Sequence, residues 1–178
     1  MRFLRPLTWI LAIALVIAVV VAYPSLPTSI PQSIDVNGQG KGFTPRSPFT
    51  CRLPMCIGLV TLIGLEVLRV RLPKKPELFN FPGKEQLLKL PSEYRAGAVV
   101  RMQQFMDVMN LQLVITFGMV QLMIWRGARG ESSGGLSIAT LVFPMFMLIA
   151  IGLFLNVIQS EVDAAQRRYG SRRNPLQS

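Results

Sequence analysis

"LTWILAIALVIAVVVAY", residues 7–23, carries no charged side chain. A helix rises ~1.5 Å per residue and a bilayer's hydrocarbon layer is ~30 Å thick, so a run of this length and purity reads as a membrane span. Three further segments pass the same comparison. They are Leu53–Val70, Met106–Trp125 and Leu136–Ile158, the last with one internal proline at Pro144 that should kink it. Leu53–Val70 carries Glu66 and Arg69 close to its end, so it spans only if those charges reach the interface.

The whole composition agrees with this reading. The chain has 178 residues, is 51% hydrophobic and has a formal charge of +10. Such a chain is oilier and more basic than a soluble domain, which points to a membrane. Its Lys and Arg stand beside apolar runs, where anionic headgroups are met, so no nucleic-acid partner is expected.

In a four-span arrangement the basic residues divide unevenly. Arg2 and Arg5, the group from Arg69 to Arg101, and Arg167, Arg168, Arg172 and Arg173 share one side. Lys41, Arg46, Arg52, Arg126 and Arg129 share the other. The richer side is the cytoplasmic one, so both termini and the loop between the second and third spans are expected in the cytoplasm. Residues 24–52 form an outward loop, 71–105 an inward loop and 159–178 a basic cytoplasmic tail. The first span also reads as a signal peptide with a poor cleavage site ending Val20-Val21-Ala22, and the expectation is a retained anchor. The fold class is therefore all-α: a single domain over residues 1–178, an integral membrane four-helix bundle with an ordered outer loop and an amphipathic inner loop.

Polar groups inside the spans are the natural functional candidates. At 100° per residue Gln103, Asp107, Asn110 and Gln121 share one narrow face of the third span. Asp107, near the inner interface, is expected to be solvated or paired with a lysine. Asn110 and Gln121 are expected to make interhelical hydrogen bonds worth ~1 kcal/mol each, with a substrate or proton route as the sharper reading. Glu66 has Arg69 three residues on as its partner. Ala14, Ala18 and Ala22 recur every four residues, a small-residue stripe against which another helix could close in.

The inner segment "LPKKPELFNFPGKEQLLKLPSEYR" mixes Pro73, Pro76 and Pro82 with Leu78, Phe79, Phe81, Leu87, Leu88 and Leu90 among lysines. It reads either as a stretch lying in the headgroup layer, with lysines on anionic phosphates, or as a surface for a cytoplasmic protein. Ser92 is expected to cap a long helix that runs to Gly127 and projects beyond the membrane.

Catalysis has little to work with. The chain has no histidine and two cysteines, Cys51 and Cys56, off a common helical face. No phosphate-cradling glycine loop and no nucleophile elbow occurs. No enzyme activity, metal site or cofactor is expected.

The outward loop contains "YPSLPTSIPQSIDVNGQGKGFTPR", with Leu26-Pro27, Ile30-Pro31, Asn37-Gly38, Gly42-Phe43 and Arg46 in that order. This stretch resembles the extracytoplasmic signature of the bacterial family of unknown function that forms the N-terminal part of SdpI-type immunity and signalling proteins. Ser33 stands where that family usually has His. "FNFPGKEQLLKLP" and "MQQFMDVMNLQL" extend the likeness, which covers residues 23–125. It implies a sensor or immunity role, exercised through a protein or peptide partner. Prolines at 24, 27, 31, 45 and 48 stiffen the loop, and Asn37-Gly38 suits a tight turn with positive φ. The loop reads as a structured cap or as a recognition element, and the chain as a sensor or as an accessory subunit of a larger membrane complex.

Overall fold

The computed structural model describes residues 3–173. Arg2 and residues 174–178, used above in the charge balance or the tail, lie outside them, as do the side chains of Leu78, Arg172 and Arg173. Helix α1 spans Leu4–Ala22, and a short 3-10 turn at Tyr23–Ser25 leads to strands β1 (Ser29–Ile34) and β2 (Gly40–Pro45). Then come α2 (Pro48–Arg71), the short α3 (Lys84–Lys89), α4 (Ser92–Ala128) and α5 (Gly134–Arg173). α1, α2, α4 and α5 are each long and apolar enough to cross a membrane, which makes this a helical, multi-spanning membrane protein.

One departure from an all-helical chain lies in the loop 24–52. β1 and β2 form an antiparallel hairpin with Ser29 opposite Pro45 and Ile34 opposite Gly40. The two ends of the helical assembly are called here the hairpin end and the basic end. α2 begins earlier than its apolar run because Ser47 accepts a hydrogen bond from the Thr50 N–H at 3.1 Å and Pro48 presets the first turn. It closes with Arg69 and Arg71 in its last turn, where positive charge suits the helix dipole.

α4 has 37 residues and α5 has 40, so each is about 55–60 Å long. Both outrun the hydrocarbon layer by some 25 Å. Residues 159–173 continue α5 rather than forming a separate tail, and α5 passes Pro144 without a break. Ser92 is the first helical residue of α4; the cap position is Pro91, and no side chain caps it.

The segment between α2 and α4 is corrected more substantially. Phe81, Leu87 and Leu90 are buried against Val99 and Met102 of α4 and Ile158 and Val162 of α5. These apolar side chains therefore fill a protein core rather than dipping into headgroups. Arg95 fixes the arrangement, donating to the Leu90 carbonyl at 2.6 Å and the Leu88 carbonyl at 2.7 Å. Those carbonyls sit at the end of α3, where a helix lacks its own donors.

Candidate functional site

α1, α2 and α4 meet at the basic end around four charges. Arg69 of α2 faces Asp107 of α4, with Nε 2.6 Å from Oδ1 and Nη2 donating to Oδ2 at 3.2 Å. Glu66, one turn back on α2, lies 2.6 Å from Arg5 Nη2 of α1 and 3.8 Å from Arg69 Nη1. Gln103 adds a bond from Nε2 to the Arg69 carbonyl at 3.3 Å. Charges placed this close to the apolar layer need partners, and two cations facing two carboxylates leave no net charge there.

The partner of Asp107 is thus an arginine from another helix, not a lysine or solvent. The nearer partner of Glu66 is Arg5, which the local spacing alone did not indicate. Since every carboxylate of the network is engaged, its chemistry is that of a clasp joining three helices. Among the described residues no group of three His, Cys, Asp or Glu side chains could hold a metal ion.

Further along α4, Asn110, Val114 and Gln121 are buried, Val114 in a cluster with Ala12 of α1 and Leu62 of α2. The expected interhelical bonds are absent: Asn110 Oδ1 and both amide atoms of Gln121 are buried with no hydrogen-bond partner. Buried positions on the facing helices include Ala12, Val19, Met55, Gly58 and Leu62, whose side chains neither donate nor accept. Thr8, the polar exception on α1, donates to its own helix at the Leu4 carbonyl. A different amide does bridge helices, for Gln112 Nε2 donates to the Phe143 carbonyl of α5 at 2.8 Å.

At the other end the hairpin is built as a fixed element. Asp35 Oδ1 accepts from the N–H groups of Asn37 and Gln39, both at 2.9 Å, and the Gly38 N–H donates to the Asp35 carbonyl. The Gln39 N–H, then the Lys41 ammonium at 3.3 Å, hold the Asp35 carboxyl below its ordinary pKa. Gly38 turns at φ 77°, and its carbonyl accepts from the Ser133 N–H and Oγ–H in the α4–α5 connection. The Asn37 carbonyl accepts from Ser132 Oγ at 3.0 Å. A Cβ at Gly38 would lie 2.1 Å from the Gly134 nitrogen, so the contact is backbone on backbone.

Gly42 also has positive φ, at 62°. Arg46 reaches back to donate to the carbonyls of Tyr23, Pro24 and Leu26, in and just after the 3-10 turn that follows α1, with its guanidinium 5.0 Å from the Tyr23 ring centre. Asn37, Gly38, Gly42 and Arg46 therefore all serve the loop's own shape. Phe43 differs: it is exposed, as are Val36 and Phe49.

The alanine stripe of α1 is not the face that packs inside this chain. Thr8, Ala12 and Val19 are buried, whereas Ala14 is exposed and Ala18 and Ala22 are half-buried. No protein-family model, no curated protein and no solved structure matches this chain.

Proposed function

We propose that this is a non-catalytic four-span protein of a bacterial inner membrane, with both termini cytoplasmic, which works by contacting a protein or peptide at its outer face. This is the sensor or immunity role that the SdpI-type resemblance implies. The observation that carries it is the hairpin: its turn is fastened to Ser132 and Ser133, its base is fastened by Arg46 to the 3-10 turn after α1, and Val36 and Phe43, with Phe49 at the start of α2, are left exposed. Aromatic side chains on a pre-ordered polar frame lose little entropy on binding, which is what a recognition surface needs. On the inner face, exposed Lys74, Lys75 and Lys89 would meet anionic headgroups.

A second reading, an accessory subunit of a larger membrane complex, is favoured by α5, whose most apolar window buries none of its residues within this chain. Photo-crosslinkers at Phe43 and Ile149 in native membranes separate the two readings. A partner captured from Phe43 supports recognition through the hairpin, and one captured in fixed ratio from Ile149 supports the subunit. Absence of any protein adduct at Phe43 removes the first. Labelling of Lys41→Cys, but not Lys84→Cys, by an impermeant thiol reagent applied outside is the topology expected; the reverse overturns it.

A further inference from the structure

At the basic end α1 and α5 flank one face of α4 and leave a trough along it. Phe105 and Val108 of α4 with Ala150, Leu153 and Phe154 of α5 form an apolar slot of about 340 Å³. Beside it a polar mouth of about 600 Å³ is lined by Arg5, Arg69, Gln103 and Asp107. Gln104 lines both, so the slot and the mouth adjoin at that residue. Phe105 and Phe154 stack with ring centres 3.9 Å apart and planes 9° from parallel, which gives the slot a flat, stiff wall.

The mouth offers donors and few free acceptors. Its one lining carboxylate, Asp107, is engaged by Arg69, and the carboxylates paired with the neighbouring arginines are engaged too: Glu66 with Arg5, and Glu161 with Arg101 Nε at 3.1 Å. Arg101 Nη1 donates to Gln104 Oε1, so the Gln104 amide nitrogen is left as a donor. Arg5 and Arg101 keep side chains that are half exposed, at 50% each, with guanidinium N–H groups beyond those used in the ion pairs. An apolar slot ending in cationic and amide donors, at the depth where hydrocarbon gives way to headgroups, has the chemistry of one amphiphile with a phosphodiester. A packed apolar helix fits less well, because it would cover the guanidinium N–H groups of Arg5 and Arg101 that Glu66 and Glu161 leave free, with nothing to accept from them.

We propose that this trough binds one glycerophospholipid of the adjoining leaflet, with an acyl chain along Phe105 and Leu153 and its phosphate on Arg101, Gln104 and Arg5. The site is independent of what the hairpin contacts. The test is native mass spectrometry of the full chain, first as purified in mild detergent and then delipidated and titrated with phosphatidylglycerol, phosphatidylethanolamine or diacylglycerol.

One retained phospholipid per chain is expected, with little diacylglycerol retention. Arg101→Gln, which weakens the headgroup contact, and Leu153→Trp, which fills the slot, should each lower occupancy about tenfold. Glu161→Gln releases Arg101 without removing it and should bind at least as well as wild type. Equal retention in wild type, Arg101→Gln and Leu153→Trp overturns the proposal. So does a Glu161→Gln loss as large as that of Arg101→Gln, since it would trace both to the lost ion pair. Absence of any phospholipid adduct, with a protein crosslinked at Leu153 instead, also overturns it and assigns the trough to a partner helix.

Discussion

Arg69 and Asp107 meet side by side across the seam between α2 and α4, 2.6 Å apart at their closest atoms and both largely buried. Removing one partner of such a pair strands the other charge in a poor solvent, and that is typically worth ~3–5 kcal/mol. Arg69→Leu and Asp107→Leu should each lower the detergent melting temperature sharply. The double Leu variant should recover part of the loss, because it leaves no orphan charge at that seam. A double variant as unstable as the sum of the singles would show that the two do not act as a pair.

Gly38 supplies the second prediction. A non-glycine residue pays about 1–2 kcal/mol at its φ of 77°, and a Cβ there would also strike the backbone of Ser133 and Gly134. Gly38→Ala should therefore detach the turn, raising hydrogen exchange together at residues 35–39 and 132–134 while the basic end stays protected. Gly135→Ala, where a Cβ meets nothing within 4 Å, is the matched control. Unchanged exchange in both segments would mean that the turn is not docked.

The amides of α4 divide by whether they find a partner. Gln112→Leu loses a bond to α5 and should destabilise by about 1 kcal/mol. Gln121→Leu replaces a fully buried amide that has no partner, so stability should hold or rise. Melting temperatures of the two variants in one detergent decide the matter. A destabilised Gln121→Leu would mean that its amide is satisfied by something beyond the chain itself.

Asp35 ties the hairpin to pH. Its carboxyl is held below the ordinary value of 3.8 by the Gln39 N–H and then by Lys41, so folding favours the charged form. A lowered folded pKa means that the stabilisation is present above the unfolded pKa and lost as pH falls through the folded one. Protection factors at Asn37 and Gln39, corrected for intrinsic exchange, should hold at neutral pH and fall once the pH drops below the ordinary carboxyl value of 3.8. In Asp35→Asn that acid-induced step should vanish, and its persistence would place the titrating group elsewhere.

How far the sequence foretold all this depends on what kind of burial was at issue. The four long apolar helices follow from length and lack of charge, and the turn at Gly38 follows from Asn-Gly chemistry. Periodicity states that a side chain avoids water, but not whether lipid or protein receives it. Hence the expected face of Asn110 and Gln121 is buried, yet its hydrogen bonds are missing, because bonding depends on what the opposing helices carry. Gln112 lies 200° from Asn110 around the helix, and nothing local marks it as the amide that meets α5. Nothing local marks Arg5 as a partner of Glu66 either, because the contact joins residues far apart in the chain. The charge of the stretch after Ile158 suggests a tail, but no proline interrupts it before Pro175, and the helix continues to Arg173.

The segment between α2 and α4 gives the last prediction, because lipid burial and protein burial differ there in what a truncation does. Leu87 is fully buried in a core that includes Leu72, Val99 and Ile158. If those contacts hold the basic end together, Leu87→Ala leaves a cavity and should destabilise by about 2–5 kcal/mol in detergent, with no lipid present. Protease sites between residues 74 and 91 should open at the same time, and α4 below Met102 should lose exchange protection. A segment held instead by headgroups would behave otherwise. Leu87→Ala would then leave the detergent-solubilised protein unaffected and weaken protection only in bilayers, so comparing one variant in detergent and in vesicles separates a packed core from a membrane-adsorbed loop.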